Sequence, residues 1–190
     1  FETTNDEVLT ILEKNHSSDD LANAIEISQT NNIDIRPTWM PFSPWTNQKD
    51  LIDIIKLIEN YKLRETVDPI QLTIKLLIPK NSLILQRSEI KGYLKDYDKN
   101  SLSYMWDYKN EEVNILQVSL FNYLLDTPDL DEHSQYLGMV KIIENMTQSN
   151  LISDLNYSYK NVPKLSETWF CCAEPSQIQL DRIKTNTALI

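Results

Sequence analysis

An α/β fold is predicted for this chain on three observations. Two segments of alternating apolar and polar residues, Ile33-Asp34-Ile35-Arg36 and Ile70 through Ile78, lie on either side of a strongly amphipathic stretch, Gln48 through Leu63. A strand, helix, strand order of this kind normally makes a parallel pair joined by a right-handed crossover. The rhythm then stops near Leu85, and two long helical patterns follow. The chain is expected to divide into an α/β part, 1–85, and a mainly helical extension, 86–190. Its 190 residues are enough for a core of useful size.

Each element has a local reason. Val8, Leu9, Ile11 and Leu12 recur at helical spacing, with Asn5 or Asp6 as the cap. His16-Ser17-Ser18-Asp19-Asp20 offers a second cap, and Leu21, Ala24, Ile25 and Ile27 form the stripe of a helix ending near Asn31-Asn32. The alternation from Ile33 reads as a strand that Pro37, Pro41 and Pro44 do not allow to continue. Thr46 or Asn47 caps the next helix, whose Leu51, Ile54, Ile55 and Ile58 share one face. Ile70 to Ile78 is β-branched, alternating and closed by Pro79. Past residue 85, the run Lys91 to Tyr108 is polar and aromatic, Glu111 to Asp126 is helical, and a second helix begins at Gln135.

Charge and composition exclude several functions. Eighteen Lys and Arg against 28 Asp and Glu leave a formal charge of −10, the wrong sign for a phosphate-neutralising nucleic-acid binder. With Gly92 and Gly138 as the two glycines, neither GxGxxG nor GxxxxGK[ST] can be written. No apolar run reaches the roughly 20 residues that cross a bilayer, and FETTNDEVLT is not a secretory leader, so a cytoplasmic protein with no membrane partner is expected. Because Phe1 leads into what reads as a strand end, the chain is also expected to be part of a longer protein.

Two groups of residues invite chemistry. Cys171 and Cys172 are adjacent, about 3.8 Å apart at Cα, so a disulfide between them would be strained. They read either as one buried and one exposed thiol or as a redox, metal or substrate pair, and the flanking Trp169-Phe170 and Glu174-Pro175 favour giving the second equal weight. Gln71 and Lys75 interrupt a strand that should be nearly all apolar if covered on both faces. They fit an edge strand with a solvated face, or the lumen side of a barrel strand. His16 and His133 lack a second ligand at metal spacing and read as surface or capping residues. Trp39, Phe42 and Trp45 among three prolines read as a packed loop or a substrate-facing wall.

Four stretches carry a resemblance: FETTNDEVLTILEKNHSSDD, IRPTWMPFSPWT, VDPIQLTIKLLIP and TWFCCAEPSQIQL. In this order they resemble the C-terminal part of the radical SAM proteins whose tail reads Cys-Cys-Ala-Glu-Pro, or Cys-selenocysteine-Ala-Glu-Pro in selenoprotein members. Here the pentapeptide is Cys171-Cys172-Ala173-Glu174-Pro175.

The resemblance implies the C-terminal part of a partial (β/α) TIM-like barrel. It further implies an enzyme that binds S-adenosylmethionine on a [4Fe-4S] cluster, cleaves it reductively and abstracts hydrogen with a 5′-deoxyadenosyl radical. The cluster motif CxxxCxxC is absent from the chain, so the cluster ligands are not in it, no metal ligand is assigned, and these 190 residues are expected to be inactive alone. By the same resemblance Glu2 lies near the methionyl amino group, Lys14 pairs with the methionyl carboxylate, and Thr38 neighbours the ribose. Gln71 and Lys75 face a small-molecule or peptide substrate, with Lys where family members more often carry Arg. Cys171 and Cys172 act catalytically, Cys172 at the selenocysteine position. The implied partner is a reductant such as flavodoxin or ferredoxin. The rival reading is a non-catalytic α/β and helical module whose Cys-Cys pair binds a metal or a partner protein.

Overall fold

The computed structural model describes residues 1–152. Six helices and a two-stranded sheet make a mixed α/β molecule. Helix α1 spans Asp6–Ile11, with the Asn5 side chain accepting from the backbone of Glu7 and Val8. Helix α2, Ser18–Thr30, begins with a capping box formed by Ser17 and Asp20. Helix α3, Gln48–Asn60, begins with another, formed by Asn47 and Asp50, so of the two expected caps it is Asn47 that serves. In each case a side-chain oxygen satisfies an amide that the helix leaves unpaired. The α3 stripe Leu51, Ile54, Ile55 and Ile58 is fully buried, as its spacing requires.

The two expected strands form differently. Residues 33–36 take no regular structure, and Ile33 is 58 % exposed. Pairing begins only at Trp39, in an isolated parallel bridge to Glu2. The segment Pro69–Thr73 is a 3-10 helix, because Asp68 caps it through Ile70 N and Pro69 sits at its first turn. Extended pairing there is limited to a parallel bridge between Phe42 and Lys75, closed by Phe42 N to Ile74 O at 3.2 Å and Leu76 N to Phe42 O at 2.7 Å. Segment 38–42 is thus hydrogen-bonded to Glu2 at one end and to 74–76 at the other, with helices between the partners.

Beyond residue 85 comes a short helix α4, Ser88–Lys91, and then a feature not read from the sequence. Leu94–Asp98 (β1) pairs antiparallel with Ser103–Trp106 (β2). The hairpin joins the first half of the chain through Tyr104 N to Ile78 O and Trp106 Nε1 to Leu76 O. Helix α5, Glu111–Asp126, coincides with its expected range, and α6, Glu132–Thr147, starts one turn earlier because Asp131 caps it. Val113, Leu116 and Leu120 of α5 and Tyr136, Met139, Val140 and Ile143 of α6 share one apolar core with Ile54, Ile55 and Ile58 of α3. The core therefore takes residues from both sides of residue 85. A buried ion pair also crosses it. Arg64 binds Glu59 through Nε at 2.8 Å and through a second guanidinium nitrogen, and Tyr136 donates to the same carboxylate at 2.8 Å.

Candidate functional site

The loop between α1 and α2 places a charged cluster against Glu2. Helix α1 ends with Glu13 N bonded to Thr10 O and Lys14 N bonded to Leu9 O, a Schellman closure that puts Glu13 in the left-handed region at φ 54°. Asn15 follows at φ 55°, so Lys14 is presented between two left-handed residues. Asp6 accepts from Ser18 N at 2.7 Å and ties the start of α1 to the start of α2, which holds the loop from its far side. Glu2 is itself left-handed, at φ 52°. Such conformations in residues with side chains are strained, and strain of this kind gathers at functional sites.

Lys14 Nζ meets Glu2 Oε1 at 2.7 Å. The other oxygen, Oε2, lies 4.0 Å from His16 Nε2 and 3.9 Å from the Phe1 ammonium. His16 Nδ1 lies 3.0 Å from the Lys14 carbonyl oxygen. The three side chains are about 30 % exposed, 28 % for Glu2, 32 % for Lys14 and 30 % for His16, so solvent reaches the cluster. One carboxylate and one ammonium side by side are complementary to the two charged ends of an amino acid.

Thr38 is adjacent: its carbonyl accepts from Glu2 N at 3.0 Å, while its side chain is exposed. Gln71 is buried, and its Oε1 accepts from Trp39 N at 2.6 Å, so the amide oxygen assigned to substrate instead fastens the 3-10 helix to the segment that pairs with Glu2. Lys75 lies apart from Glu2. Its Nζ stands 4.9 Å from the ring centre of Trp106 and 5.6 Å from that of Tyr108, a cation over two aromatic faces. Burial pushes the Tyr108 hydroxyl well above its ordinary pKa, and the Glu111 carboxylate adds to the shift. Glu2, Lys14 and Thr38 therefore come together, with Gln71 linked to them through Trp39. Cys171 and Cys172 lie outside the described residues.

Three members of these clusters were not anticipated. His16, expected to cap or to lie on the surface, turns toward Glu2, and no periodicity marks it. Trp106 and Tyr108 lie in a run whose polarity concealed a hairpin. Among the described residues no group of three or more His, Cys, Asp or Glu could hold a metal ion, and no helix is long and apolar enough to cross a membrane. No family model, curated protein or solved structure matches the chain.

Proposed function

We propose that this chain is the C-terminal part of a radical SAM enzyme, a partial (β/α) barrel with a helical extension, and that the Glu2 cluster receives the methionyl end of S-adenosylmethionine. The observation that carries the reading is the Glu2 and Lys14 pair, 2.7 Å apart. These are the two residues to which the sequence resemblance gives the amino and carboxylate groups of that end, and they come from separate segments of the chain. The parallel bridges of Glu2 with Trp39 and of Phe42 with Lys75, each spanned by helix, agree with barrel connectivity without requiring it.

The donor set fits the amino-acid end of the cofactor. Glu2 would hold the ammonium, Lys14 would turn from Glu2 to the carboxylate, and the Thr38 chain would lie alongside. The chain does not fit the cluster, because three thiolates are needed and two adjacent cysteines cannot supply them. The cluster ligands would come from sequence outside these 190 residues. When bound at such a cluster, S-adenosylmethionine supplies the 5′-deoxyadenosyl radical that takes hydrogen from substrate. Gln71, held by Trp39, would shape the wall of that space, and Lys75 would set a positive charge on it. Cys171 and Cys172 would meet the substrate, and a flavodoxin or ferredoxin would deliver the electron in the cytoplasm.

The decisive experiment starts from the encoding reading frame. Its upstream sequence should contain CxxxCxxC, and the full-length product, reconstituted anaerobically with iron and sulfide, should release 5′-deoxyadenosine from S-adenosylmethionine under a strong reductant. A frame without that motif, or a reconstituted protein that leaves the cofactor intact, overturns the proposal.

A further inference from the structure

His16 is the member of the Glu2 cluster whose hydrogen bonding does not close. Its Nδ1 faces the Lys14 carbonyl oxygen at 3.0 Å, and because a carbonyl only accepts, Nδ1 carries the hydrogen. In the neutral ring the lone pair then belongs to Nε2, which is buried without a hydrogen-bond partner. The charged atom across from it is Glu2 Oε2, at 4.0 Å, and that atom is also an acceptor. Two acceptors facing one another repel, and buried polar atoms of this kind are normally satisfied.

A donor carrying two N–H bonds resolves the conflict. An atom placed off the line between them, at an ordinary hydrogen-bond length of roughly 2.9 Å from each, bridges a 4.0 Å separation with its two bonds close to a right angle. A primary ammonium has the required hydrogens and also the positive charge that Oε2 calls for. Lys14 is bonded to the opposite oxygen, Oε1, and the Phe1 ammonium donates to the Thr38 carbonyl at 3.0 Å, so neither bonds to His16 Nε2.

We propose that Glu2 Oε2 and His16 Nε2 together seat a primary ammonium group, and that His16 makes the site select ligands with a free α-amino group. The inference rests on the S-adenosylmethionine reading above and adds to it a residue and a rule of selection.

The test uses the full-length product at about pH 8, where an ordinary imidazole is neutral. His16 and His133 are the two histidines, so His133→Gln leaves a single ring to follow by nitrogen NMR. The probes are S-adenosylmethionine and L-methionine, each compared with its counterpart lacking the α-amino group. Both amines should move the His16 Nε2 signal, and the deaminated counterparts should not. His16→Phe should weaken S-adenosylmethionine binding by about tenfold or more, leave the deaminated counterpart within about twofold, and be partly rescued in His16→Gln, whose amide oxygen still accepts. Equal weakening of both probes, or a ring signal deaf to both amines, overturns the proposal, and the second result needs no folded variant. Binding of S-adenosylmethionine without a response at His16 removes the ammonium seat and leaves the cofactor reading standing. Discrimination between L-methionine and its deaminated counterpart, without S-adenosylmethionine binding, supports the seat and removes the cofactor reading.

Discussion

A left-handed backbone costs a residue with a side chain roughly 1–2 kcal/mol, which is why glycine usually follows a helix. With two glycines in the chain, the positions after α1, α2 and α3 are taken by Glu13, Asn32 and Lys62, at φ 54°, 55° and 54°. Lys62 closes α3 through its own N to Glu59 O and Leu63 N to Ile58 O. Lys62→Gly should therefore raise stability by about 0.5–1 kcal/mol, the relief of strain exceeding the added freedom of the unfolded chain. A denaturant midpoint that does not rise would refute this. Lys14 belongs to the same scale. If its ammonium binds the methionyl carboxylate, Lys14→Ala should weaken S-adenosylmethionine by roughly 1.5–3 kcal/mol in calorimetry, and unchanged affinity would remove it from the site.

Helix ends and helix contacts govern the elements. Asp50 accepts from Asn47 N at 2.8 Å and from Asn5 Nδ2 at 3.0 Å, joining the caps of α3 and α1. Burial nevertheless holds its carboxyl above the ordinary value of 3.8. The folded state then binds this proton more tightly than the unfolded one, so this contribution to stability is complete below that value and is lost as pH rises through the folded pKa. Between roughly pH 3 and 6, the stability of the wild type relative to Asp50→Asn should fall as pH rises. Urea midpoints that differ by a constant amount across that range would contradict it. At Gly138 in α6, an added Cβ would lie 2.0 Å from the Tyr123 hydroxyl of α5. Gly138→Ala should gain about 1 kcal/mol of helix propensity yet lose more to the clash, with overpacking costs of about 1–3 kcal/mol. In a Tyr123→Ala background the same change should become stabilising. Unchanged effects in the two backgrounds would show that the tyrosine does not crowd this position.

The helices were legible because caps and apolar spacing agree, as in Asn47 with Leu51, Ile54 and Ile58. The strands were not. Alternation suggested pairing at Ile33, but no partner lies there, and at Ile70 the Asp68-Pro69 start of a 3-10 helix outweighed it. The hairpin was hidden in a polar run, although the Asp98 carboxylate that turns it, accepting from Asn100 N and Ser101 N, is an ordinary turn signal. Of the candidate site, Glu2 and Lys14 were named from resemblance and their contact follows from the loop. His16 could not be foreseen, because its role comes from a conformation rather than a pattern.

At the scale of the molecule, the shared core makes residues 1–152 a unit that should melt together. Glu59 and Arg64 are 5 % and 3 % exposed and are bound to Tyr136 of α6, so removing one partner leaves a buried charge. Arg64→Ala should cost about 3–5 kcal/mol and shift tryptophan fluorescence and helix circular dichroism by the same amount. A loss confined to one probe would mean that the two halves unfold separately.

Segment 37–44 holds that unit together with very few amides. Pro37, Pro41 and Pro44 have none to give, and the amides of Trp39, Met40, Phe42 and Ser43 are already bonded to Gln71, Glu2, Ile74 and Thr46. An apolar extended stretch with open donors would invite a second chain to add to it, the first step of amyloid-like growth. Here the amides are spent inside the molecule, so one of the most hydrophobic stretches of the chain is a poor template for aggregation.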